Sequence, residues 1–563
     1  MIIHELCRYY ERLSQNQEIT IPQLGFSREK IHAEIVLDKQ GNLVQFNDLR
    51  IQKGKKPVPK EMIVPQAFKR TSGPKANFLW DNTTYVLGAD NKDEPEKAMG
   101  NFELFRKFQH QLGDNIDDTA MKAILAFLDR WNPKDAHNLN NWNELAGGNI
   151  VFRLDGEREY VHQKPALRQL WLKFKNASSD NFKSFCLVSG ELSSIARLHP
   201  SIKGVMNAQS SGAALVTFNR DSFCSYGKEQ NFNAPVSEQV AFAYTTALNY
   251  LLKSNSPQKI QIGDATTVFW TERDSPIEGF MGMILDPKEN TADNADVKRF
   301  LEAVREGKTP EGIDRTMKFY ILGLSPNAAR IAVRFWYVCS VGDIAERIGQ
   351  HFRDLQIIRR YENDTEYPGI WQLLKETALK TENISPLLAG ATMRSILEGT
   401  AYPESLLSAV LNRIRADQNI NYLRAAILKA VLNRKYRIYK QGMEVSIMLD
   451  KENKNPAYLL GRLFAVLEKV QTDALGNINA TIKDRFWGSA SATPNIVFPQ
   501  LLRLAQYHIG KAEYGRIRDK QIEEILCDIK AFPSHLTLDE QGIFAIGYYH
   551  QRQDFYKRTE QPN

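Results

Sequence analysis

Ile31-His-Ala-Glu-Ile-Val-Leu-Asp-Lys-Gln-Gly-Asn-Leu-Val-Gln-Phe46 reads as two strands joined by a turn. Ile31, Ala33, Ile35 and Leu37 recur at every second position, Lys39-Gln40-Gly41-Asn42 supplies the reversal, and Val44 and Phe46 resume the alternation. A period of two sends successive side chains to opposite faces of a sheet. The N-terminal region is therefore expected to hold β-structure after a short leading helix. Further along, Asn77-Phe-Leu-Trp-Asp-Asn82 leads into a predicted strand ending at Gly88. Short strands are predicted at 150–154, 185–188, 215–218 and 268–270, and a pair at 319–324 and 331–336 flanks Ser325-Pro326-Asn327.

Helical spacing interrupts these strands. Phe102, Phe105 and Phe108, then Ile124, Phe127 and Leu128, mark apolar faces within 97–130. A helix is predicted after Asn233, with Pro235 in its first turn and Val240, Tyr244, Leu248 and Leu251 on one stripe. Another is predicted over 341–357. Beyond about residue 370 strand signals fade, and helical patterns follow in series at 384–398, 403–415, 419–437, 456–473, 496–510 and 518–530. The expected fold class is α+β, a large mixed N-terminal portion followed by a C-terminal all-α helical bundle. Three segments are expected: 1–370 α+β, 371–442 a basic helical connection, and 443–563 the bundle.

Composition narrows the function classes. The 563 residues are 43% hydrophobic and 25% charged, which excludes a wholly disordered chain. Lys+Arg at 73 against Asp+Glu at 66 gives +7, an excess that matters only where it is concentrated. Cysteines 7, 186, 224, 339 and 527 stand far apart with no zinc spacing, so reduced core thiols and a cytoplasmic location are expected. No window reaches the ~20 apolar residues of a membrane span. There is no phosphate-binding G-x-x-x-x-G-K-[ST] loop, no H-E-x-x-H and no G-x-S-x-G. His351 and Asp354 fall at helical spacing and read as a satisfied surface pair rather than a metal or proton site. Asp117-Asp118 and Glu523-Glu524 read as solvated acids. No catalytic residue, metal or cofactor is expected.

Three loops are rich in small amides and hydroxyls: Lys69-Arg-Thr-Ser-Gly-Pro-Lys-Ala-Asn77, Asn207-Ala-Gln-Ser-Ser-Gly212 and Tyr226-Gly-Lys-Glu-Gln-Asn-Phe-Asn233. Lys and Arg neutralise phosphates, and glycine lets backbone N–H groups approach them. Asn, Gln and Ser read base edges. The same residues also build ordinary turns, so both readings stand. Lys53, Lys55, Lys56, Lys60, Lys69, Arg70 and Lys75 face only Glu61. A second basic run, Arg424, Lys429, Arg434, Lys435, Arg437 and Lys440, contains no acid and either tracks a nucleic-acid backbone or coats the outside of a bundle. Phe486, Trp487 and Tyr549 are expected to pack rather than to stack on bases.

Longer strings carry a resemblance. Lys75-Ala-Asn-Phe-Leu-Trp-Asp-Asn82 is followed by Tyr85-Val-Leu-Gly88, Gln209-Ser-Ser-Gly-Ala-Ala-Leu-Val-Thr-Phe-Asn219, Phe223-Cys-Ser-Tyr-Gly227 and Asn233-Ala-Pro-Val-Ser-Glu238. Leu324-Ser-Pro-Asn-Ala-Ala-Arg330 and Val333-Arg-Phe-Trp336 complete the set. In order and spacing across nearly the whole chain they resemble the large subunit of the type I-C CRISPR surveillance complex, Cascade, of the Csd family. The resemblance implies a non-catalytic subunit that recognises the protospacer-adjacent motif, or PAM, in double-stranded DNA. It also implies a part in R-loop formation and recruitment of a separate helicase–nuclease in antiviral defence. Sequence reading is left to CRISPR RNA, while the protein reads the short motif and backbone shape.

The partners so implied are CRISPR RNA, target double-stranded DNA, the other Cascade backbone subunits, the helicase–nuclease, and a small subunit related to the chain's own C-terminal bundle. Translation of that small subunit from within the gene would start at Met443 or Met448. The residues expected at PAM or duplex are Ser72, Lys75, Asn77, Asn207, Gln209, Ser210, Ser211, Asn231 and Asn233. Lys55, Lys56, Lys69 and Arg70 are expected on phosphates. An alternative is an architectural clamp for RNA and neighbouring proteins that does not read the motif.

Overall fold

In the computed structural model the strands Ala33–Leu37 and Leu43–Asp48 pair antiparallel, with Ile35 opposite Phe46. The Asp38 carboxylate holds the turn by accepting the Gln40 and Asn42 N–H groups at 2.9 and 2.7 Å. Gly41 closes it at φ 81°, and a Cβ there would stand 2.4 Å from the Ala123 carbonyl oxygen, so only glycine fits. Ile31 belongs to the preceding strand, Phe26–Ile31, which pairs with Lys60–Pro65. Every residue of Ala33–Leu37 is buried, and Asn149–Leu154 runs parallel along its other edge. It is thus an inner strand of a four-stranded sheet ordered Leu43–Asp48, Ala33–Leu37, Asn149–Leu154, Trp80–Asn82. The structure describes residues 2–556 except 17, 54–55, 69, 71–72, 92–93, 178–181, 286–298, 300–301, 304, 307–312 and 477.

The chain divides into two compact units, Met1–Ser201 with Val216–Asn249, and Ile202–Leu215 with Tyr250–Asn563. In the first, the helices Pro95–Gly113, Thr119–Arg130 and Pro165–Ala177 supply apolar faces around the sheet, and Phe78 stacks on Trp171 with ring centroids 5.7 Å apart. The second unit is built on an antiparallel sheet ordered Lys259–Ile262, Ala265–Thr271, Lys318–Asn327, Arg330–Ser340. The helices Val341–Leu355, Pro386–Glu398, Glu404–Asp417, Tyr422–Tyr439, Pro456–Leu475, Pro494–Ile509 and Gly515–Cys527 follow. One apolar core runs from Ile260 in the sheet to Tyr549 near the end of the described chain. The α+β class is as expected.

Several local expectations are corrected. The strand before Gly88 is only Trp80–Asn82, because the Asn82 side chain accepts the Thr84 N–H at 3.0 Å and starts the helix Thr83–Val86. The strand near 185 is Lys183–Phe185 and ends at a turn in which the Gly190 N–H reaches the Cys186 carbonyl. No strand forms over 215–218: its β-favouring side chains have no described strand alongside to complete a ladder. Pro235 precedes its helix, which is Glu238–Leu251 with Ser237 Oγ accepting the Val240 N–H. Ser325, Pro326 and Asn327 continue their strand, so the hairpin turn is only Ala328-Ala329.

Two helices beyond 480 were not expected, Ile482–Ala492 and Leu538–Asp554. Residues 542–551 of the latter are all buried, so it has no polar face to create an amphipathic signal. It lies against Pro456–Leu475 at very close range. A Cβ on Gly461 would meet the Phe544 carbonyl oxygen at 2.0 Å, and one on Gly547 the Tyr458 carbonyl oxygen at 2.3 Å.

Candidate functional site

The first loop is fastened from inside. Asn77 is 3% exposed; its Oδ1 accepts the Phe68 N–H at 3.0 Å, its own N–H donates to Asp81 at 2.9 Å, and Gln109 Nε2 donates to its carbonyl at 2.9 Å. Arg70 donates to the Asp81 carboxylate at 2.7 Å and to the Lys75 carbonyl at 2.8 Å, and its guanidinium lies 4.0 Å from the Tyr85 ring centroid. Burial pushes the Asp81 carboxyl up, and the Arg70 charge opposes that shift. Asn77 and Arg70, expected on bases and phosphates, thus have partners within the fold. Lys75 is exposed. Ser72, Lys69 and Lys55 lie outside the described residues, as does the side chain of Lys56, whose backbone begins the strand Lys56–Val58.

The second loop, in the other unit, is the converse. Met206 N–H donates to Thr266 Oγ1 at 2.9 Å, and Gly212 N–H closes on the Gln209 carbonyl at 2.9 Å. Asn207 sits at φ 61°, a left-handed conformation that Asn tolerates. The side chains of Asn207, Gln209, Ser210 and Ser211 are exposed and have no hydrogen-bond partner among the described residues. Backbone bonds set this turn, and its amides and hydroxyls remain available.

The third loop, in the first unit, combines both patterns. Asn233 Oδ1 accepts the Ser225 N–H at 2.8 Å, and its Nδ2 donates to the Lys228 and Gln230 carbonyls at 2.8 and 2.9 Å. Asn231 is 1% exposed, and its Nδ2 donates to the Val216 carbonyl. Both amides, expected at the duplex, instead tie the loop. The tip they hold presents Tyr226, 98% exposed at φ 53°, followed by Gly227 and exposed Lys228. Tyr226 was not singled out by itself from the sequence; an aromatic beside glycine at the start of an Asn-containing loop was the available signal.

Arg424, Lys429 and Arg434 of the second basic run are buried, so they neither track phosphates nor coat the outside, while Arg437 and Lys440 are exposed. Arg424 donates to Glu376 at 2.7 Å and Arg434 to Asp354 at 2.8 Å; Arg437 also reaches Asp354, at 2.7 Å, and Lys435 reaches Asp539 at 2.7 Å. Lys429 is buried against the Asp354 carbonyl, and burial pushes its ammonium down to about 8. His351 and Asp354 are buried, not a surface pair. His351 bonds to the Tyr402 hydroxyl, and burial drives its imidazole down to about 3. Burial raises the Asp354 carboxyl, but hydrogen bonds from Arg437 and the Arg434 charge carry it below the usual range. Trp487 and Tyr549 are core residues. Among the described residues no three His, Cys, Asp or Glu side chains are grouped to hold a metal ion. No helix among them is long and apolar enough to cross a membrane.

A family model described as CRISPR-associated protein (Cas_Csd1) matches residues 6–556, and the chain belongs to that family. The match takes in all three loops. No curated protein matches the chain.

Proposed function

We propose that this member of the CRISPR-associated Csd1 family is the non-catalytic large subunit of a type I-C Cascade complex and reads the PAM of double-stranded DNA. The observation that carries this reading is the contrast between fastened and free side chains in the loops. Asn207, Gln209, Ser210 and Ser211 are held on a turn that leaves their polar groups to solvent. Such groups form hydrogen bonds with base edges and sugars at little cost in rearrangement. Tyr226 and Lys228 give a second exposed tip, suited to a base face and a phosphate. Lys75 adds an exposed cation, and Lys55, Lys56, Lys69 and Ser72 remain candidates on the basic segment. Asn77, Asn231, Asn233 and Arg70 act in this reading by shaping the loops.

The wider role follows from the resemblance: R-loop formation with CRISPR RNA, assembly with the other Cascade subunits in the cytoplasm, and recruitment of the helicase–nuclease. In it, 1–370 recognises the duplex, 371–442 connects, and 443–563 corresponds to a small subunit started at Met443 or Met448. A second reading, the architectural clamp, draws on the internal bonding of Asn77, Arg70, Asn231 and Asn233. A photo-crosslinking residue at 209 or 226 in the assembled complex separates the two. Crosslinks to PAM bases support motif reading, whereas crosslinks to RNA or neighbouring protein alone support the clamp.

A further inference from the structure

Val333-Arg-Phe-Trp336 lies on the strand Arg330–Ser340, the outermost strand of the second unit's sheet. Its sequence, Arg-Ile-Ala-Val-Arg-Phe-Trp-Tyr-Val-Cys-Ser, is mostly apolar, yet only Ile331 is buried. The neighbouring strand Lys318–Asn327 has seven buried residues of ten, so the outer strand carries a composition suited to burial while being only partly covered. Phe335, Tyr337 and Cys339 pack on the helical core, and Trp336 stacks on Tyr320 with ring centroids 5.7 Å apart.

The backbone is open as well. At the start of the strand the Ile331 N–H donates outward to the Ala214 carbonyl at 3.0 Å. From Ala332 to Cys339 no backbone group bonds outside the hairpin among the described residues. Ser340 N–H turns away from the sheet to the Asp343 carboxylate, and in an antiparallel ladder alternate residues point the same way. The N–H groups of Trp336 and Val338 therefore also face outward.

Folded proteins blunt such edges by shortening them, charging them or covering them. The opposite edge, Lys259–Ile262, is only four residues long. On the long edge the one charge past Arg330 is Arg334, and Asp264 neutralises it at 2.7 Å. A row of backbone donors and acceptors selects another backbone, and no unpaired cation draws a phosphate to this stretch. We infer that this edge receives an extended, uncharged and largely apolar segment of a neighbouring protein subunit, which adds as a further strand when the complex assembles.

Amide hydrogen exchange on the full chain, alone and in the assembled complex, tests the inference. The Trp336 and Val338 amides exchange rapidly in the isolated chain and slow by about tenfold or more on assembly. Val338→Pro removes an outward donor without touching the hairpin ladder, so it lowers incorporation into the complex while Val338→Ala does not. Circular dichroism checks that the proline variant is folded, and the wild-type exchange result stands without it. Unchanged exchange of these amides on assembly overturns the inference. Protection produced by CRISPR RNA alone, or by concentration-dependent dimers of the isolated chain, overturns it too.

Discussion

Asn77 and Gln209 are both amides in loops that the sequence marks alike, and their surroundings separate them. Asn77→Ala removes buried side-chain atoms and leaves the half-buried Phe68 N–H without its acceptor, so a stability loss of about 1–3 kcal/mol is expected in chemical denaturation. Gln209→Ala, on an exposed turn, is expected to stay within about 0.5 kcal/mol of wild type. That these stretches are loops was legible, because Asn, Ser and Gly build turns. Which amide faces inward was not, since Asn77 is fixed by Gln109 on a helix thirty-two positions away. Titration gives a second test at this scale. His351 is pushed down to about 3 from its ordinary 6.5, so between those values the unfolded chain binds the extra proton. Stability contributed by neutral His351 is complete above pH 6.5 and is lost as the pH falls toward 3. Unfolding curves at stepped pH should show this slope, reduced in His351→Gln.

Val341–Leu355, with one buried and one exposed face, was legible from its apolar spacing. Tyr422–Tyr439 was also found, but the role of its cations was not, because their carboxylates come from Asp354, Glu376 and Asp539 on other segments. Asp354→Ala would strand Arg434 and Arg437 without their counter-charge. A loss of about 3–5 kcal/mol is expected for Arg434, the fully buried partner, and unchanged denaturation would refute that burial. Leu538–Asp554 escaped notice because residues 542–551 are buried on every side, polar ones included, and 215–218 misled because β-propensity without a neighbouring strand makes no ladder. The crossing of Leu538–Asp554 with Pro456–Leu475 has its own check. Gly461→Ala places a methyl against the Phe544 carbonyl and should destabilise by about 1–3 kcal/mol in the same assay.

At the scale of the whole molecule, the α+β class and the family were legible from strings spread over the chain, while its division into two units was not, because the short crossing 202–215 joins residues far ahead in sequence. The final helix packs beside Tyr422–Tyr439 through Gly542 against Leu432 and through the Lys435–Asp539 ion pair. A fragment begun at Met443 or Met448 lacks Tyr422–Tyr439, exposes the face of the final helix that packs on it and should self-associate or join a partner when sized by light scattering. Mutating both methionines to alanine should abolish such a fragment in expressed cells. In the proposed function, free side chains on the exposed turns read the motif while fastened ones hold the loops. The direct measurement is binding of the assembled complex to DNA with a randomised PAM, for wild type, Gln209→Ala and Asn77→Ala. Gln209→Ala is expected to relax motif preference by about 1–3 kcal/mol with assembly intact, while Asn77→Ala weakens all motifs alike through lost stability. Relaxed preference in Asn77→Ala with unchanged stability, and none in Gln209→Ala, would contradict this reading.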